Sequence, residues 1–219
     1  MNTEIGTKEY KAGKRFQGKY IQFRHSSEHS VDGKFMDMEV QVTLDPYDPS
    51  GNVKQAKTGI LFSVEKFTID GVTNEMVKNI DAFFDSLKWE ENDPIVESVP
   101  VAQFLNMIDM SERWIYKGSQ TVPPCDTFVI WSIPRRIYPI KQRHVDLFKK
   151  QLERGGLQKT GNVREIQQLN GHQPYIISTL RNILDVNIID RVTVHTDTEH
   201  NDIMVDYINF NGETATAQP

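Results

Sequence analysis

The chain has 219 residues, 38% of them hydrophobic and 25% charged, with a net charge of −5. This is the composition of a folded globular protein, one large domain or a domain with an extension, and its acidity excludes nucleic acid as the main partner. No apolar run is long enough to cross a bilayer, and the first residues lack the apolar core of a secretory leader, which favours an intracellular setting.

Residues 1–14 read as a polar arm, and basic residues continue through Lys19. Tyr20 to Arg24 alternates as a strand, with Ile21 and Phe23 on one face and Gln22 and Arg24 on the other. Met36 to Leu44 alternates too: Met36, Met38, Val40, Val42 and Leu44 face one way, and Asp37, Glu39, Gln41 and Thr43 the other. A turn-rich loop, Asp45 to Gly51, leads on to a buried strand predicted over Gly59 to Phe67. Asn74 is the predicted N-cap of a helix with Met76, Val77, Ile80, Phe83, Phe84 and Leu87 at helical spacing. Further on, Trp114 to Tyr116 precedes a loop at Gly118–Cys125, and Phe128 to Ile133 follows it as a strand. Gln142 to Leu152 reads as a helix with Val145, Phe148 and Leu152 inward, ended by Gly155 and Gly156. Residues 178–219 form an acidic extension, with seven acids against Arg181 and Arg191, whose apolar clusters suit docking on a surface as well as disorder suits its charge. Cys125 is the only cysteine, so no internal disulfide can form, and a buried free thiol is expected.

Three segments carry a resemblance. Ser27-Glu28-His29-Ser30-Val31-Asp32-Gly33 is similar to Ser-Glu-His-Thr-Val-Asp-Gly of the α-carbonic anhydrases. Gly118-Ser119-Gln120-Thr121-Val122-Pro123-Pro124-Cys125 resembles that family's Gly-Ser-Leu-Thr-Thr-Pro-Pro-Cys. Gly161 to Gly171 is close to its Gly-Asn-x-Arg-Glu-x-Gln-Pro-Leu-Asn-Gly, and all three occur in the family's order. The resemblance covers about residues 15–177 and implies a mainly β fold with flanking helices (α+β): a twisted, mostly antiparallel central sheet, here without its N-terminal part. The arm (1–14) and the acidic extension (178–219) lie outside it.

The family holds zinc with two histidines two apart on one strand and a third on the next, so that three nitrogens converge on one sheet face. Aligned backward from Ser27-Glu28-His29, the first two positions carry Gln22 and Arg24; aligned forward from Ile21-Gln22-Phe23, they carry Arg24 and Ser26. The third falls on Gln41. A permanently protonated arginine is the poorest of replacements for a zinc ligand, and an amide oxygen is a weak one. By resemblance Glu28 matches the acceptor behind the family's gatekeeper threonine, which is Thr121 here. Glu39 matches the carboxylate behind the third histidine, and Val122 replaces a second threonine. His25 points opposite to Arg24 by alternation, His29 matches a family residue with a structural role, and His144, His172, His195 and His200 show no ligand spacing with a partner.

The expectation is a pseudo-enzyme with no metal and no cofactor, its old site closed by Arg24 pairing with Glu28 or Glu39 while Thr121 bonds the other. Kept beside it are a module holding a small anion at Arg24 in the former cavity, and an active hydro-lyase (carbonate dehydratase), which needs an acid/base pair that the sequence does not offer. A sheet beginning at Tyr20 would leave an uncovered edge, so other protein subunits of a larger assembly are the expected partners, a mitochondrial complex among the candidates.

Overall fold

A computed structural model describes residues 2–4, 15–50, 53–68, 72–92, 94–158, 161–167, 174–178, 189–197, 202–209 and 214–217. The N-terminal strands are β1 (Asn2–Glu4), β2 (Arg15–Arg24), the small hairpin β3 (Ser30–Val31) and β4 (Lys34–Phe35), then β5 (Met38–Pro46) and β6 (Gln55–Ser63). Helices α1 (Asn74–Asp85) and α2 (Val101–Asn106) follow, then β7 (Glu112–Ser119), β8 (Thr127–Pro134), β9 (Tyr138–Pro139), α3 (Gln142–Arg154) and β10 (Tyr175–Ser178). Chain order closes with β11 (Ile189–Asp197), β12 (Asp202–Asn209) and β13 (Thr214–Ala217).

The main sheet runs β1-β2-β5-β6-β8-β7-β10, with β9 beside β6. Its pairs are antiparallel except β6 with β8 and β6 with β9, so a mostly antiparallel sheet carries one parallel seam. Its first long strand, β2, begins at Arg15 rather than Tyr20, and β1, within the stretch read as an arm, pairs with residues 15–17. The strand expected over Gly59–Phe67 is Gln55–Ser63, which brings Lys57 into the sheet. In the extension, β11, β12 and β13 form an antiparallel sheet of their own, while the apolar pair Ile183-Leu184 lies outside the described residues, as do His172, His200 and Gln168–Gly171.

Alternation along the central strands separates two chemistries. One face carries Phe23, Val40, Val42, Ile60 and Ile130, which pack with Ile80, Phe83 and Phe84 of α1, Phe104 of α2, and Val145 and Phe148 of α3. Phe23 holds the outer strand to that layer, with its ring 5.0 Å from Trp89 edge-on and 6.2 Å from Phe83. Each fully buried side chain of this size contributes about 1.5–3 kcal/mol. The cap of α1 is Thr73, whose hydroxyl accepts from Met76 N at 3.1 Å; Asn74 is the first helical residue, because Thr73 is the last with extended backbone. Helix α3 stops at Gly155, and Gly156 takes φ +73°, a conformation that suits glycine. Short α2 has no sequence signal of its own, having neither a side-chain cap nor charge at its ends.

The opposite face is polar toward β2 and apolar toward β8, where Leu61, Val129, Trp131 and Ile133 pack with Met36, Ile137 and Tyr116. Loops 25–37, 119–127 and 161–167 lie on this side, as their bonds to it show. It contains the candidate site.

Candidate functional site

Register places the site. Gln22 lies opposite Gln41, Arg24 opposite Glu39, Gln41 opposite Gly59 and Thr43 opposite Lys57, so these residues share the polar face across β2, β5 and β6. All of the side chains at its centre are buried: Arg24 is 6% exposed, and Glu39, Gln41, Thr43 and Lys57 are 0%.

Glu39 is the hub. Its Oε2 accepts from the backbone N–H groups of Glu28 (2.8 Å) and His29 (2.9 Å), and its Oε1 from His29 Nδ1 (2.7 Å) and Gln41 Nε2 (2.9 Å). The His29 ring continues the chain through Nε2 to the Tyr116 hydroxyl at 2.6 Å. Burial alone would lower the His29 pKa, but the charge and hydrogen bond of Glu39 raise it above the ordinary value. Burial likewise pushes Glu39 up, and its charge-assisted bonds with His29 and its bond from Gln41 bring it below the usual carboxylate range. Tyr116 is raised by burial and then by the Glu39 and Glu28 charges, so it stays a phenol. Gly59 makes room for this hub: a Cβ there would lie 2.6 Å from Glu39 Oε1 and 2.8 Å from Ile133 Cδ1.

Glu28 is also fully engaged. Its Oε1 accepts from Arg164 N (2.8 Å), and its Oε2 accepts from Gln41 Nε2 (2.6 Å) and lies 3.3 Å from Arg24 Nε. That ion pair is close, but the Arg24 Nε–H is not aimed along it and has no hydrogen-bond acceptor. Arg24 Nη2 donates to Thr121 Oγ1 at 3.3 Å. Thus Arg24 reaches both Glu28 and Thr121, while Glu39 is taken by His29 and Gln41. Loop 161–167 is fastened by Arg164 Nη1 on Ser119 Oγ and Gln120 O, and by Asn162, which donates to Phe23 O and accepts from His25 N.

The structure therefore brings Arg24, Glu28, Glu39, Gln41 and Thr121 into one network. Gln22 joins through Lys57, whose Nζ donates to Gln22 Oε1 at 3.3 Å. Ser26 lies past the end of β2 and its hydroxyl turns to Ser27 O, while Val122 is half-buried and serves the loop through its carbonyl, which accepts from Cys125 N. Cys125 is half-buried rather than buried, because the loop that carries it lies at the surface with φ +61° at that residue. Lys57, Tyr116, Arg164 and Asn162 are site residues that the sequence did not assign to the site. Lys57 had a signal, since period-two alternation backward from Leu61 through Gly59 puts it on the polar face.

Zinc calls for neutral imidazoles, thiolates or carboxylates converging on one point. At the former ligand positions stand a guanidinium, an amide whose nitrogen faces two carboxylates, and either Gln22, on Lys57, or Ser26, on its own loop. Among the described residues no three His, Cys, Asp or Glu side chains are grouped as a metal would need. These residues do not fit the ion.

Comparison with known proteins agrees with this architecture. The model of the eukaryotic-type carbonic anhydrase family matches residues 3–176. The chain is 28% identical over 171 residues to dioscorin dioA3 of Dioscorea japonica, covering 78% of this chain and 58% of that one. It is 28% identical over 156 residues to carbonic anhydrase 4 of Rattus norvegicus, covering 68% and 50%. The crystal structure of dioscorin complexed with ascorbate superposes with a TM-score of 0.57 at 26% identity, over 78% of this chain and 66% of that one. The chain thus spans about half to three-fifths of the length of these curated relatives. With the matched model covering most of the residues and the same sheet in the solved relatives, this chain belongs to the eukaryotic-type, or α-, carbonic anhydrase family.

Proposed function

We propose that this chain is a non-catalytic member of its family, its zinc site lost and replaced by a buried ion-pair network, and that it acts as a structural or accessory subunit of a larger protein assembly. The observation that carries the first part is the Arg24–Glu28–Gln41–Glu39 cluster: the groups at the ligand positions are a cation and an amide, and the carboxylates behind them are spent on those groups. A small anion at Arg24 is the weaker reading, because Glu28 and Thr121 already engage that guanidinium.

Support for the subunit role comes from the sheet edge. Among the described residues β1 covers β2 only at residues 15–17, and near the other end of β2 Asn162 bonds to Phe23 O and His25 N. Tyr20 on that strand is 37% exposed, and Ile95, Phe128 and Ile166 are each more than half exposed. A strand edge uncovered among the described residues, and apolar side chains exposed elsewhere on the surface, are features that another chain could cover. The test is purification under native conditions from the source cells, followed by sizing and cross-linking with mass spectrometry. Cross-links from Lys19 to other proteins support the reading; a monodisperse, cooperatively melting monomer contradicts it.

A further inference from the structure

His144 is a buried base with only one ring nitrogen in use. It stands in the first turn of α3, is 0% exposed, and its ring packs 5.2 Å from that of Phe84 on α1. Its Nε2 lies 2.9 Å from Asp81 Oδ1. Burial raises Asp81, but its bonds with Lys141 and His144 bring the carboxyl below its ordinary pKa, so Asp81 is ionised and can only accept. The ring proton therefore sits on Nε2. Nδ1 keeps a bare lone pair, buried and without a hydrogen-bond partner.

Asp85 Oδ1 stands 3.9 Å from that lone pair, too far for a hydrogen bond. The Asp85 carboxylate is held instead by Arg143, whose two Nη atoms donate to Oδ1 at 2.6 Å and Oδ2 at 2.8 Å. Both partners of that pair are about half exposed, and Asp85 is the last residue of α1. The charged groups around the ring are Asp81 and Asp85 from α1, and Lys141 and Arg143 from its own side, with Glu90 behind Arg143. Burial lowers the His144 pKa and the Arg143 charge adds to that, which together outweigh the pull of Asp81 and Asp85. The positive end of the α3 dipole acts in the same sense. The ring is therefore neutral at pH 7 and takes its proton in acid.

We propose that His144 is an acid-driven switch at the seam of α1 and α3: a proton taken from solvent onto Nδ1 turns the Asp85 carboxylate from Arg143 to the imidazole, and the Arg143 guanidinium is released. Asp85 Oδ1 has to close by about 1 Å to reach an ordinary N–H···O length. The exchange is driven by burial, since a pair with a buried ring is screened far less than one with a half-exposed guanidinium. It also changes the surface. Lys78, Asp81, Asp85 and Lys141 line a groove along α1, two acids against two lysines. Withdrawing Asp85 and freeing Arg143 beside it turns that face basic.

Side-chain NMR of the ¹⁵N-labelled full-length protein, titrated in the cold from pH 8 to pH 4.5, reads both ends of the switch. His144 and Arg143 are assigned through their backbone signals. At pH 8 His144 should show the Nε2–H tautomer, and Arg143 should show resolved Nη signals from a held guanidinium. On acidification the ring should gain its proton below the ordinary histidine range, and the Arg143 signals should average at the same midpoint. In His144→Gln, Arg143 should stay resolved to the end of the titration. Asp85→Asn should weaken proton binding at His144 roughly tenfold. An Nδ1–H tautomer at pH 8, or a ring still unprotonated at pH 4.5, would overturn the proposal. So would Arg143 signals that stay resolved through the His144 titration, or that average at the same pH in His144→Gln. If His144→Gln does not fold, the wild type decides alone: midpoints of His144 and Arg143 more than about one pH unit apart overturn the switch.

Discussion

Replacing Glu39 with alanine tests the hub of the network. The substitution strands four donors at once: the Glu28 and His29 backbone N–H groups, the His29 ring and the Gln41 amide. Glu39 is completely buried, so no water takes over those bonds. Hydrogen bonds to a charged group contribute about 1.5–3 kcal/mol each and do not add, while breaking a buried pair by removing one partner costs about 3–5 kcal/mol. We expect a loss of about 3–5 kcal/mol, which for a chain of this size lowers the melting temperature by roughly 6–20 °C. Urea unfolding at pH 6 gives the free energy directly, provided the slope with denaturant matches the wild type. The pH dependence follows from the two shifts. The raised His29 pKa gives stability that is full below pH about 6.5 and lost as pH rises through the folded value, and the depressed Glu39 pKa gives stability present above about 4.5 and lost as pH falls through its folded value. Both limbs should flatten in Glu39→Ala. A loss under about 1 kcal/mol with both limbs intact would refute the hub assignment.

The other consequences concern the neighbours of that hub. Arg24→Met should cost little, about 1 kcal/mol or less, because Glu28 keeps Arg164 N and Gln41 as donors, while Glu28→Ala should cost about 3 kcal/mol by leaving Arg24 buried without its carboxylate; paired denaturation curves decide it. Gly59→Ala should destabilise by about 1–3 kcal/mol, since its methyl would press on Glu39 and Ile133, and calorimetry should show the drop without a change of fold by circular dichroism. Burial and the nearby Arg24 charge lower Lys57 to about 8, against the pull of Glu28 and Glu39, so the protonated form strains the fold and wild-type stability should climb as pH rises from about 8 toward 10.5. At pH 7, Lys57→Met should therefore gain about 1–3 kcal/mol, a gain that shrinks above pH 10.

The sequence carried the sheet well where one strand face is apolar. Met38, Val40 and Val42 alternate with Glu39, Gln41 and Thr43, and that alternation alone placed the polar set on one side of β5. What it could not convey is that the polar side is buried as deeply as the apolar one, because burial there comes from loops 25–37, 119–127 and 161–167, distant in the chain. Arg24, Glu28 and Glu39 were legible as neighbours through the family motifs, and so was a pairing of Arg24 with one of the two carboxylates, but not which one, nor that Thr121 would bond Arg24 instead of the other carboxylate. Glu39 could have served Arg24, and the choice fell to His29 because the turn after Arg24 delivers both the His29 backbone N–H and its ring to the same carboxylate. Lys57 was hidden by a strand boundary set four residues late, at Gly59 instead of Gln55, where the apolar run is less obvious. The cap of α1 was read one residue late, at Asn74 instead of Thr73, for a similar reason: both are good capping residues, and only backbone geometry separates them.

The proposal that this chain keeps the family's sheet without its zinc chemistry turns on whether the ion binds. The most direct test is zinc content of the purified full-length chain by elemental analysis after equilibration with excess zinc and gel filtration, with carbon dioxide hydration measured on the same fractions. We expect zinc far below one ion per chain and hydration at the uncatalysed rate. One zinc per chain, co-eluting with hydration activity that a chelator removes, would contradict it.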